Sequence, residues 1–374
     1  MSESKNQPEV MAAPATAPAP AQSTAPVAAV PAESAAPKLV VGTSPHLHAE
    51  QGVPEIMRWV VIALAPAVLV SLWFFGLEAL RVYVVAVAAC MGIEWLCLRY
   101  LGTPGSLGDW SAALTGVLLA MNLPPTSPTW MIVVGALVAI LIAKHVFGGI
   151  GSNIFNPALT ARVFLLISWP VQMTTWLRPG ERGLVPAGAD LQGITEATPL
   201  GLLKEGRLHE LSASATDLLL GNVGGSLGEI SAIALLLGGA LLLWKRIITW
   251  EIPVFFIGTT ILIATAAWLV DPALYASPVT HLFAGGLMLG AIFMATDMVT
   301  SPNTFWGRVI FATGGGLLTG VIRLWGGYPE GVSFAILLMN GLAPLIDHYV
   351  KPRSFGTVPV KKTKALAAKP GVAA

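Results

Sequence analysis

The stretches 121-MNLPPTSP-128 and 294-MATDMVTSPNTFW-306 interrupt two apolar runs, and together they decide how the chain folds. In the first, Pro124 and Pro125 remove amide donors and force extended backbone where a helix would otherwise continue. Non-helical backbone at membrane depth is tolerated only where it lines a protein-buried or wet cavity. Setting Thr126-Ser127-Pro128 on Thr300-Ser301-Pro302 also sets Gly116 on Gly290, and a tryptophan follows soon after in both. The next run in each half ends in a glycine pair, Gly148-Gly149 and Gly326-Gly327, with a phenylalanine shortly beyond. These coincidences read as an internal repeat.

Outward from the two breaks the chain is mostly oil. Hydrophobic residues make up 55% of it and charged residues 11%, with a mean hydropathy of +0.72. Such a chain cannot cover a water-facing surface, so it is an all-α polytopic membrane protein. Apolar runs fall at about 57–76, 79–98, 109–123, 129–147, 156–171, 227–245, 252–270, 279–296, 307–325 and 331–349, ten spans in all. Five spans per half is an odd number, so homologous halves enter the membrane in opposite senses. That is the inverted-repeat architecture with broken helices. The segments are then 1–43, an Ala/Pro-rich disordered extension; 44–171, the first repeat; 172–226, a long connecting loop; 227–350, the second repeat; and 351–374, a basic tail.

Arg99, Lys144, Lys245-Arg246, Arg308 and the tail share one side of this ten-span arrangement, whereas Glu78, Arg81, Asp271 and Glu330 share the other. The positive-inside rule makes both termini cytoplasmic and puts 172–226 outside. No cleaved signal peptide is read at the amino terminus. A net charge of +1 without a basic face argues against nucleic-acid binding. Cys90 and Cys97 read as packing residues, and two thiols cannot hold an iron–sulfur cluster unaided. His46 and His48 have no further ligands nearby in sequence, so no metal is assigned.

Ionisable groups inside spans are functional candidates by default. Lys144, Arg323 and Asp347 lie near enough to span ends to snorkel. Glu94 and Asp297 do not, and they are candidates for an ion pathway or for holding a polar ligand, with an interhelical structural pair as the alternative. In 148-GGIGSNIFNPALTARVFLL-166, Asn153 and Asn156 offer donors and acceptors where Pro157 starts a helix, and Arg162 follows inside it. This helix entry suits an uncharged polar ring, or the asparagines simply satisfy broken backbone.

The stretches 44-SPH-46, 144-KHVFGGIGSNIFNPALTARVFLLISWPVQMTTW-176, 194-ITEATPL-200, 221-GNVGGSLGE-229, 295-ATDMVTSP-302 and 336-ILLMNGLAPLID-347 carry a family resemblance. Over about residues 44–350 the chain resembles RnfD subunits of the membrane-bound Rnf ferredoxin:NAD oxidoreductases, and their relatives the NqrB subunits of sodium-pumping NADH:quinone oxidoreductases. The resemblance implies an electron-transport translocase subunit in the bacterial inner membrane. Its partners would be the flavoprotein RnfG, the iron–sulfur subunits RnfA and RnfE, and RnfB and RnfC, with NAD and ferredoxin handled by subunits other than this one; the coupling ion would be sodium or protons. It further implies FMN esterified through its phosphate to Thr198, by a separate transferase, with the flavin loop on the periplasmic side. Thr195 is the lesser alternative. Glu196 stands where the family has glycine, and Gln192 where it has aspartate, Asp190 being displaced by two. From NqrB the resemblance carries over a non-covalent riboflavin at Asn153, Asn156 and Asp297. A competing class is an inverted-repeat solute channel of the urea or ammonium type, without a redox cofactor.

Overall fold

Proline and hydroxyl residues start most of the helices, and glycines bend or end them. A computed structural model describes residues 52–102, 107–180, 197–207, 214–272 and 274–352. The amino-terminal extension with His46 and His48, the segment holding Asp190, Gln192, Thr195 and Glu196, and the tail beyond Pro352 lie outside the described residues. What is described is helical, with no strand, and belongs to one compact unit, Glu50–Ala374.

The helices are α1 (Val53–Leu101), α2 (Ser111–Met121), α3 (Thr129–Leu137), α4 (Pro157–Ser168), α5 (Pro170–Met173), α6 (Pro199–Lys204), α7 (Ala215–Leu220), α8 (Ala232–Trp244), α9 (Glu251–Val270), α10 (Pro278–Phe283), α11 (Leu287–Leu289), α12 (Phe305–Trp325) and α13 (Val332–Tyr349). Among the described residues α1, α9, α12 and α13 are long and apolar enough to cross a membrane. Shorter apolar helices fill the intervals, and Leu69, Leu237, Leu262 and Val270 are exposed, as hydrocarbon surroundings allow.

Helix α1 covers two of the expected spans. At Gly76 the backbone leaves the helical region, with φ 56° and ψ −126°, a conformation that glycine adopts without a Cβ penalty. The Ser71 hydroxyl donates to the Tyr83 hydroxyl at 3.0 Å. Twelve residues of straight helix would part them by about 18 Å. The chain therefore folds back at Gly76, and α1 is a helical hairpin.

The break at 121–128 is held from two sides. Leu227 N–H donates to Leu123 O at 3.2 Å and Gly228 N–H to Met121 O at 2.7 Å. From α1, Arg81 donates to Pro125 O at 3.2 Å and Ser127 O at 2.8 Å, while its Nε pairs with Glu78 at 2.7 Å. The carbonyls that the prolines would leave orphaned thus find donors inside the protein.

Differences from the expected pattern are informative. Beyond α3 the helix loosens into a wide π-type stretch, Val138–His145, and a second such stretch, Gly290–Met294, follows α11. The eighth apolar run breaks inside as well as at its end, because Gly285 takes φ 70° between α10 and α11. The two glycines that the expected repeat aligns have different neighbours. A Cβ on Gly116 would meet the Val87 backbone at 2.7 Å, whereas one on Gly290 would meet the Val332 side chain at 2.3 Å. The connecting region is not only loop, since it contains α6 and α7. Cys90 and Cys97 are free thiols packed in the interior.

Close approach at Gly228 leaves no room for a side chain: a Cβ there would sit 2.8 Å from Met121 O and 2.7 Å from a Leu289 methyl. Gly228→Ala is expected to cost about 1–3 kcal/mol in overpacking, read as a lower thermal midpoint in detergent. Gly258→Ala in α9, with nothing within 4 Å, is the control and should hold or raise the midpoint.

Candidate functional site

Two polar clusters sit in the apolar body. The first surrounds the entry of α4. Asn156 is its N-cap: Oδ1 accepts from Ala158 N–H at 3.1 Å and Leu159 N–H at 3.3 Å, and Nδ2 donates to Met294 O at 3.3 Å. Asn340 of α13 accepts from Asn156 N–H at 3.1 Å and donates to Thr300 O at 3.3 Å. The α4 entry and the second break are thereby tied together. Asn153 donates to Phe155 O at 3.2 Å. Asp297 closes its own turn, accepting from Thr300 Oγ1 at 3.2 Å and Val299 N–H at 3.4 Å.

Asn153, Asn156 and Asp297 line one cavity of about 110 Å3, together with Ser111 and Lys144. Its remaining walls are largely apolar, with Met57, Leu118 and Phe293 prominent. Apolar faces with a few convergent polar groups suit a flat heteroaromatic ring. The volume does not: cofactor sites usually measure about 300–1,000 Å3. Ring entry requires these walls to part.

Behind that cavity Lys144 Nζ donates to Glu94 Oε1 at 2.7 Å and to Ser111 Oγ at 2.7 Å, and Ser111 Oγ donates to Asp109 at 2.6 Å. His145 Nε2 lies 3.0 Å from Glu94 Oε2. Lys144 is 3% exposed, so it does not snorkel. An ammonium this deep is tolerable because a carboxylate pairs with it, and Glu94 has the interhelical partner that the sequence left open.

The second cluster joins the two halves. Arg162 of α4 donates to Asn122 Oδ1 at 2.8 Å, in the first break, and to Glu229 Oε1 at 3.4 Å. It also pairs closely with Glu330, just before α13. Arg323 of α12 donates to His281 O at 2.6 Å and Ala284 O at 3.1 Å. It is buried, which corrects the snorkelling expectation: the carbonyls freed by the break between α10 and α11 hold it inside. Asp347 does lie near a surface, where it accepts from Asn303 N–H at 3.2 Å.

Thr198 stands beside this second cluster. It is the N-cap of α6, its hydroxyl accepting from Gly201 N–H at 3.0 Å, and it is 9% exposed. A cavity of about 10 Å3, one water in size, is lined by Thr198, Glu229, Gly285 and Glu330. Sequence reasoning missed Glu229, Glu330 and Asn122 as partners of Arg162. The stretch 221-GNVGGSLGE-229 carried the only signal, a carboxylate following glycines next to an apolar run.

The family model described as NQR2, RnfD, RnfE matches residues 40–356. The chain belongs to that family. One relative within it is a subunit of the Na(+)-translocating ferredoxin:NAD(+) oxidoreductase complex of Acetobacterium woodii. It is 46% identical over 87% of this chain and 97% of the relative. Its counterpart in the proton-translocating ferredoxin:NAD(+) oxidoreductase complex of Clostridium ljungdahlii is 45% identical over 85% and 96%. A third, from an ion-translocating oxidoreductase complex of Vibrio cholerae, is 40% identical over 84% and 99%.

Removing the Arg162 guanidinium leaves two carboxylates facing each other out of water. Arg162→Gln is expected to cost about 3–5 kcal/mol, seen as a lower thermal midpoint in detergent. The double variant Arg162→Gln, Glu330→Gln should recover part of the loss. A double variant no more stable than the single would show that the charge pairing is not what holds the cluster.

Proposed function

We propose that the chain is the flavin-carrying membrane subunit of an ion-translocating ferredoxin:NAD oxidoreductase. In this reading it lies in the bacterial inner membrane with RnfG, RnfA, RnfE, RnfB and RnfC as partners, crosses ten times as two inverted repeats, and keeps both termini cytoplasmic. The family match supports the reading, since the relatives named above are oxidoreductase subunits and not channels. The observation that carries the flavin claim is Thr198, the hydroxyl of a Thr-Glu-Ala-Thr-Pro-Leu segment, placed at a helix start beside a buried charge cluster.

FMN bound there supplies one- and two-electron redox chemistry. The protein's part is position. Thr198 Oγ would hold the phosphate as an ester, and α6, started by Pro199, fixes its direction. The adjoining cavity is too small for a ring, so a flavin on Thr198 would lie outside it. A hydroxyl that is largely covered has to be reached by the modifying enzyme before the neighbouring chain closes over it. A second, non-covalent flavin would be held by Asn153, Asn156 and Asp297, whose polar edge suits ring heteroatoms if the walls part.

A denaturing gel of protein made alongside the flavin transferase tests the ester. The wild-type band should fluoresce under ultraviolet light, Thr198→Ser should keep some signal, and Thr198→Ala should lose it. A fluorescent Thr198→Ala band would move the ester elsewhere, with Thr195 next in line. Acid extraction of the same samples should release a second flavin, and Asn153→Leu should deplete it while the band persists.

Ion coupling is assigned to Glu94 and Asp297. The sodium- and proton-translocating relatives are 46% and 45% identical to this chain, so identity does not select the ion. Vesicles containing the complex with Glu94→Gln should retain flavin yet take up the ion several-fold more slowly. Uptake at the wild-type rate would limit Glu94 to its pairing with Lys144.

A further inference from the structure

A third polar cavity lies outside both flavin positions. It measures about 230 Å3 and is lined by Leu203, Lys204, Tyr275, His281, Arg323 and Leu324, among others. Among the described residues its walls bring two cations and an imidazole together without a carboxylate. Lys204 closes α6, and its Nζ reaches the Arg323 carbonyl at 3.3 Å. Arg323 is fixed by the His281 and Ala284 carbonyls, and its buried Nε has no hydrogen-bond partner.

The nearest acids, Glu330 and Glu229, are already engaged with Arg162. Glu330 approaches Arg323 across Gly285, where a Cβ would lie 3.0 Å from Glu330 Oε1 and 3.1 Å from Arg323 Nη2. Glu330 is also the close partner of Arg162. Asp271, outside the lining, accepts from Leu274 N–H at 3.3 Å. Partial burial pushes the Lys204 ammonium below its usual range, the response of a cation short of a counter-charge. Arginine and lysine around a small cavity suit an oxyanion, which accepts several charge-assisted hydrogen bonds at once. The surroundings are oily: Leu269, Val270 and Trp325, neighbours in sequence of Asp271 and Leu324, are exposed.

We propose that this cavity binds a phosphate group, with Lys204 as its principal ligand and Arg323 and His281 behind it. An anionic phospholipid headgroup and free phosphate share this chemistry, and the apolar surroundings favour the lipid, as in other basic pockets of membrane proteins. The site is separate from the Thr198 ester. It lies at the far end of α6, about 9 Å of helix away, and does not depend on flavin attachment.

The test uses the full chain in nanodiscs of phosphatidylcholine, with and without phosphatidylglycerol, titrated with inorganic phosphate against chloride at equal ionic strength. The readout is the thermal midpoint. A rise with phosphatidylglycerol that phosphate does not reproduce supports the site and assigns the lipid; a saturable rise with phosphate supports it and assigns the free anion. Lys204→Gln, at the cavity edge, should weaken the effect about tenfold, the scale of one charge-assisted hydrogen bond, and Lys204→Arg should retain it. Arg323→Gln is the second variant, read only if it folds, because it also cuts two bonds to carbonyls. No rise with either additive, or a Lys204→Gln response equal to wild type, overturns the proposal.

Discussion

Backbone polar groups in hydrocarbon must find partners within the protein, and this constraint organises the molecule. Prolines and glycines open the chain at 121–128, at 148–156, between α10 and α11, and at 295–302. Each opening is then closed by something specific: Gly228 and Leu227 on the carbonyls of Met121 and Leu123, Arg81 on those of Pro125 and Ser127, Arg323 on those of His281 and Ala284. Asn156 does both jobs, capping α4 and donating to Met294 O in the second break. The polar residues of this membrane interior serve backbone first, and the cavities exist because backbone is irregular there.

Charge follows the same logic. Arginines that satisfy carbonyls or asparagines bring a full positive charge with them, and burial makes that tolerable only beside carboxylates. Arg162 with Glu229 and Glu330, and Lys144 with Glu94, are the two answers. Asn122 and Met294 lie between the two clusters: Asn122 accepts from Arg162 and contacts the Met294 sulfur at 3.7 Å, while Met294 O accepts from Asn156. The α4 entry and the region of Thr198 are thus linked through side chains of both breaks.

Much of this was legible in the sequence. The apolar runs gave the helix positions closely, because long apolar stretches and helix-starting prolines are local signals, and the breaks were visible in Pro124, Pro125 and Pro302. Glycine pairs and threonine-serine-proline triplets marked irregular backbone, and Asn156 before Pro157 marked a cap. What escaped was pairing across long separations. Nothing local to Arg162 names Glu330 as its partner, and nothing around Lys144 distinguishes a snorkelling side chain from one facing Glu94. The fold-back at Gly76 was implied by two successive spans, but the hydrogen bond that demonstrates it, Ser71 to Tyr83, depends on a reversal no pattern specifies. Thr198 was picked out by family resemblance, and its second role as the cap of α6 became clear only from the position of Gly201.

The separation of Arg162 from Glu330 also bears on how the protein is made. The two are 168 residues apart, which at ~5–20 residues per second is roughly 10–30 s of synthesis. Throughout that interval Arg162 has already been produced while its closest carboxylate partner has not. The first half therefore waits in an incomplete state, its guanidinium served by Asn122 and, once made, Glu229, until the start of α13 arrives. Closing the cluster is a late event that requires nearly the whole chain, so a product that stops before residue 330 lacks the closer of the two carboxylates that pair with Arg162.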